Sequence, residues 1–140
     1  MLSIDRNICQ TVQMRTVAVI GASDDRRKFG NKAVRAFLRA GYSVAPVNPR
    51  LAAIGKTIEQ CPTYATVLDI PHDIDLATLY LPPGIGQAVL QSIAEKKIPE
   101  LWVNPGAEST DLAKEANARG IIVREHCSII AIGQSPADYE

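Results

Sequence analysis

The chain has 140 residues, 46% of them apolar and 21% charged, which suits one globular domain with a sizeable core. Fifteen basic residues balance fifteen acidic ones, so no global field would hold the chain on nucleic acid or an anionic membrane. Any anion site must be local. No apolar run is long enough to span a bilayer, and Asp5, Arg6, Asn7 and Gln10 interrupt the start where a signal peptide needs an unbroken apolar stretch. The expected location is therefore the cytoplasm. Cys9, Cys61 and Cys127 are odd in number, widely spaced and free of any C-x-x-C pair, which points to reduced thiols and gives no metal site.

In chain order, residues 1–15 read as an arm or short helix ahead of the first strand. Residues 16–20, Thr-Val-Ala-Val-Ile, are apolar without alternation, the pattern of a central strand in a parallel sheet covered on both faces. The strand runs into Gly21-Ala22-Ser23, a small-residue turn, and a helix pattern opens after Gly30. Such a helix start offers unpaired N–H groups to a phosphate. Residues 31–40 put Ala33, Val34, Phe37 and Leu38 on one stripe and Lys32, Arg35 and Arg39 on the other, and Gly41 ends the helix. A second strand is expected at 43–47, and residues 51–75 are weakly patterned. A strand follows at 76–80, then a helix at 85–97 marked by Ile85, Val89 and Ile93. Residues 101–103 form the next strand, and 111–119 a helix capped by Ser109 or Thr110 and closed by Gly120. The last strand covers 121–124, and residues 133–140 read as a frayed tail.

Strands and helices thus alternate over 16–132, which predicts a single α/β domain, doubly wound, with a mostly parallel sheet and helices on both faces. Ligands of such folds bind outside the carboxyl ends of the strands. Those ends carry Asn48-Pro49-Arg50, Leu81-Pro82-Pro83-Gly84 and Asn104-Pro105-Gly106, whereas Gly41-Tyr42, Ile98-Pro99 and Gly120 at the opposite edge are ordinary helix stops. A nicotinamide dinucleotide site would need G-x-G-x-x-G in the first turn and an acidic residue about 20 positions on. Neither is present. Arg26, Arg27 and Lys28, with Arg50 and Lys56 from the other side, instead suit a ligand with a phosphate beyond its pyrophosphate, partly offset by Asp24 and Asp25.

Gly21-Ala22-Ser23, Gly30, the 41–44 stretch, Pro46-Val47-Asn48-Pro49, Gly55, Asp75-Leu76, Pro82-Pro83, Trp102, the 105–109 stretch, Gly120 and Cys127 resemble, in this order, the small CoA-binding domain proteins. The family is similar to the nucleotide-binding domain of the succinyl-CoA synthetase alpha subunit. The resemblance implies a Rossmann-like domain over 16–132 with coenzyme A, or an acyl-CoA, as bound ligand. Gly21, Ala22 and Ser23 would lie against its pyrophosphate, and Asn48, Pro49 and Arg50 near the adenosine. Relatives often have Gln where this chain has Asn104, and the basic loop varies among them. Chemically CoA suits the chain, since its 3′-phosphate matches the cations and its pantetheine arm an apolar channel lined by Leu81, Pro82, Pro83 and Ile85.

Nothing comparable supports catalysis. His72 sits in a turn-like Pro-His-Asp stretch, and His126 adjoins Cys127, where neighbouring side chains point apart. Cys127 reads as a small buried residue, Trp102 as a core anchor, and Glu108 and Asp111 as helix-start carboxylates. The expected function is a non-catalytic CoA or acyl-CoA binding domain, a sensor, carrier or subunit. Two alternatives stay open: an NADP-binding enzyme or subunit using Arg50, and a thiol-redox responder through Cys127. Oligomeric state and protein partners are not set by the sequence.

Overall fold

The computed structural model describes residues 14–140; most of the arm expected at 1–15 lies outside the described residues. The elements are β1 (Thr16–Ile20), α1 (Phe29–Arg39), β2 (Ser43–Val47), α2 (Pro49–Ala53), β3 (Thr57–Ile58), β4 (Cys61–Pro62) and a 3-10 turn at Val67–Asp69. There follow β5 (Leu76–Leu79), α3 (Pro83–Ala88), α4 (Leu90–Glu95), β6 (Glu100–Val103), α5 (Thr110–Ala118), β7 (Ile122–Glu125), α6 (Ser128–Ala131) and a 3-10 turn at Pro136–Tyr139.

Five strands form one parallel sheet in the order β2-β1-β5-β6-β7, confirming the Rossmann-like α/β reading. Because strand side chains alternate in direction, β1 feeds two cores. Ala18 and Ile20 join Leu90 and Ile93 of α4 and Leu112 and Ala116 of α5. Val17 and Val19 join Ala33, Val34 and Phe37 of α1 with Ile129 of α6. Burial on both faces explains the unbroken apolar run that marked this strand. β2 lies at the sheet edge and so tolerates Pro46, whose carbonyl faces away from β1 and accepts the Tyr64 N–H at 3.0 Å.

Three stretches depart from expectation. The helix expected at 85–97 is two short ones, because the ladder breaks at Val89, whose N–H bonds back to Gly86 only three residues away. The weakly patterned 51–75 holds the end of α2 and the antiparallel hairpin β3–β4, whose strands are too short for a period to show. Glu59 and Gln60 make its two-residue turn at φ +48° and +68°, a conformation more usual for Gly or Asn. Residues 133–140 are docked: Tyr139 is buried, the Gln134 amide donates to Ala36 O at 2.9 Å, and the Arg35 guanidinium to Tyr139 O at 2.9 Å. A single tyrosine anchor leaves no periodic trace in so short a segment.

Candidate functional site

From β1 the chain crosses to β2 on one side and then returns to β5 on the other, so the strand order reverses between β1 and β5. Such a switch point opens a crevice at the carboxyl edge. A cleft of about 760 Å³ occupies it, within the roughly 300–1,000 Å³ range of small-molecule sites.

The first turn contributes Gly21, Ala22, Ser23, Lys28 and Gly30 to the lining. Gly21 has φ +91°, and a Cβ there would stand 2.8 Å from the Tyr80 carbonyl oxygen. At Gly30 a Cβ would lie 2.2 Å from Gly21 O, so the start of α1 can sit against the turn only through glycine. Lys28, the N-cap of α1, makes no side-chain cap bond, which leaves first-turn N–H groups for another acceptor. Hydrogen bonds hold the turn in place. Gly21 and Ala22 donate their N–H groups to Val47 O, the Asn48 amide donates to Ala22 O at 2.8 Å, and the Asn31 amide to Ser23 O at 2.9 Å.

Asn48, Pro49 and Arg50 line the cleft from the end of β2, where Asn48 Oδ1 also caps α2 by accepting the Leu51 N–H. Leu81, Pro82 and Ile85 form an apolar wall after β5, and Pro105 and Gly106 close the cleft after β6. The structure therefore gathers one group of expected residues from all four loops. Pro83, Asn104, Arg26, Arg27 and Lys56 fall outside the lining. Asn104 is buried: its amide donates to Thr78 Oγ1 at 2.7 Å and Leu79 O at 2.9 Å, and its Oδ1 accepts the Ser128 N–H at 2.8 Å. It ties β5, β6 and α6 behind the cleft.

The basic run is divided by its partners. Arg26 pairs with Glu59 of the hairpin turn at 3.3 Å, Arg27 with Asp25 at 3.0 Å and Lys56 with Asp24 at 3.6 Å. The Arg27 guanidinium holds the Asp25 carboxyl at about 2, helped by the Arg27 backbone N–H. Among the described residues, Lys28 and Arg50 line the cleft without a carboxylate at ion-pair distance.

Sequence reasoning missed Phe29, Tyr80, Ala65, Val89 and Ala107, and the strand-end residues Ile20 and Val47, all of which line the cleft. For Ile20, Val47 and Tyr80 the position at a strand end was the available signal, but apolar or aromatic character made them read as strand core; Phe29, Ala65, Val89 and Ala107 do not adjoin a strand end and carried no such signal. Burial pushes the Tyr80 phenol up, so it stays neutral. Neither histidine lines the cleft: His72 is exposed, and His126 packs edge-on against Trp102 at 4.7 Å between centroids. Cys127 precedes α6 outside the lining. Among the described residues, no cluster of His, Cys, Asp and Glu could hold a metal ion, and no helix is long and apolar enough to cross a membrane.

A parallel doubly wound sheet with a glycine turn and a cleft at its switch point defines a Rossmann-like binding domain. The chain belongs to the CoA binding domain family, which matches residues 15–133. It is similar to the alpha subunit of an ADP-forming acetate–CoA ligase I from Pyrococcus furiosus, 30% identical over 86 residues that cover 60% of this chain and 19% of that subunit. The ADP-forming acetate–CoA ligase I of Archaeoglobus fulgidus is 31% identical over 84 residues, 60% of this chain and 12% of the ligase. This chain thus spans less than a fifth of the length of these curated relatives. Among solved structures, a conserved hypothetical protein from Pyrococcus furiosus matches at TM-score 0.75 and 30% identity, over 84% of this chain and 99% of that one. A Thermus thermophilus protein shares the fold at TM-score 0.78 and 24% identity, over 91% and 96% of the two chains.

Proposed function

We propose that the chain binds coenzyme A or an acyl-CoA in this cleft, as a non-catalytic sensor, carrier or subunit domain in the cytoplasm. The observation that carries this reading is the pairing, across one cleft, of a glycine turn at an uncapped helix start with the apolar wall of Leu81, Pro82 and Ile85. CoA has a matching polarity, a pyrophosphate at one point and a long, weakly polar arm beyond it. Gly21, Ala22, Ser23 and the first turn of α1 would take the pyrophosphate, and the wall the pantetheine arm. Lys28 and Arg50, which keep their charge available, would take the 3′-phosphate. Membership of the CoA binding domain family supports the ligand class. Neither histidine reaches the cleft, which supports binding without chemistry in this chain.

Calorimetric titration with CoA, dephospho-CoA, NADP and NAD tests the proposal. CoA should give saturable heat, dephospho-CoA weaker binding and NAD none. Saturable NADP binding with no heat from CoA would replace this reading by that of an NADP site, with Arg50 on the 2′-phosphate.

A further inference from the structure

A second depression, of about 370 Å³, is lined by Arg26, Arg27, Lys32, Arg35, Tyr139 and Glu140 and shares no lining residue with the cleft. Four of these six side chains are cations. Among the described residues three carboxylates face them: Glu59 pairs with Arg26, Asp25 with Arg27, and Glu140 with Lys32. Arg35 meets no carboxylate among the described residues: it donates to Asn31 Oδ1 at 2.7 Å and to the carbonyls of Arg26 at 2.8 Å and Tyr139 at 2.9 Å, and lies 5.4 Å from the centre of the Tyr139 ring.

Lys32 is the unusual member. Its side chain is 9% exposed, and the Nζ has the Phe29 ring 5.1 Å away and Glu140 at 3.9 Å, beyond hydrogen-bond distance. A buried ammonium is costly unless paired and hydrogen-bonded. Here it opens into a cavity with a second cation, Arg35, one turn along α1, and one loosely held carboxylate from a 73% exposed side chain.

We propose that this depression is a second anion site, taking a phosphoryl dianion that displaces Glu140 from Lys32. A dianion can hydrogen-bond the Lys32 ammonium and a guanidinium together, which the single distant carboxylate does not do. The volume exceeds what a phosphate ion fills, so the phosphoryl group can be free or carried on a small molecule.

Amide NMR during titration with inorganic phosphate, and separately with phenyl phosphate, tests the site, each with CoA absent and in excess. Saturable shifts at Lys32, Arg35 and Tyr139 are expected, with the same midpoint whether or not CoA is present. The tighter of the two probes shows whether the extra volume is used. Lys32→Gln should weaken phosphate by about tenfold or more, and Glu140→Gln, at an exposed side chain, should strengthen it. Absence of saturable shifts at these residues, or their loss on adding CoA, overturns the second site. So does unchanged phosphate affinity in both variants. CoA binding is read separately, from shifts at Gly21, Ala22 and Ser23, so failure of that proposal leaves a distinct signature.

Discussion

A Cβ atom at Gly30 would lie 2.2 Å from the carbonyl oxygen of Gly21, nine residues earlier. The contact is backbone against backbone, so no side chain can move aside, and α1 would have to back away from the turn that forms the cleft floor. Gly30→Ala should therefore cost about 1–3 kcal/mol in urea unfolding, as overpacking does, and should weaken CoA by displacing the helix start. Gly84→Ala is the contrast, since a Cβ there meets nothing within 4 Å in α3; it should be neutral to stabilising by up to about 1 kcal/mol. Equal effects of the two changes would contradict the packing argument.

Arg50 and Arg26 should separate in their response to the 3′-phosphate. Arg50 lines the cleft unpaired among the described residues, whereas Arg26 pairs with Glu59 and lines the other depression. Arg50→Ala is expected to weaken CoA by about tenfold, as loss of a charge-assisted hydrogen bond does, and to leave dephospho-CoA nearly unchanged. Arg26→Ala should stay within about twofold for both ligands, because an exposed pair contributes little. Equal loss of CoA and dephospho-CoA in Arg50→Ala argues against a 3′-phosphate role.

The division of the basic run shows what a sequence can and cannot convey here. The central strands β1, β5 and β6 were legible because burial on both faces leaves mostly apolar runs, the edge strands β2 and β7 because Gly41 and Gly120 end the helices just before them, and the cleft edge because Pro, Asn and Gly cluster at strand ends. The direction of each cation was not. Arg26, Arg27 and Lys28 are adjacent, yet the turn sends the first two to one depression and the third to the other. What draws Arg26 away is Glu59, on a hairpin whose two-residue strands and glycine-free turn carry no periodic signal. Asn104 has the same character: its neighbours in sequence suggest a loop, but its partners, Thr78 and Ser128, lie 26 and 24 residues away.

That buried network is itself testable. Asn104→Ala would leave the Ser128 N–H without its acceptor and Leu79 O with only the longer bond, 3.4 Å, from the backbone N–H of residue 104. A buried group deprived of its hydrogen bond costs about 1–3 kcal/mol, so the urea midpoint should fall accordingly. Asn104→Asp should not rescue it, because a carboxylate supplies no donor for Leu79 O. Wild-type stability in Asn104→Ala would mean that the network contributes nothing to holding α6 on the sheet.

Acid sensitivity of the first turn should trace to one pair. The Arg27 guanidinium, and after it the Arg27 backbone N–H, holds the Asp25 carboxyl at about 2 against an ordinary 3.8. The folded value is the lower one, so the pair favours the folded chain above the ordinary value, and that contribution disappears as the pH falls through about 2. NMR titration of the Asp25 carboxyl should give a midpoint near the lower figure. In Arg27→Gln the midpoint should climb toward 3.8 without reaching it, since the backbone bond remains. A wild-type midpoint already at the ordinary value would show that the Arg27 fork is not closed on Asp25 in solution, leaving Arg27 free to reach toward Lys32 and the second anion site.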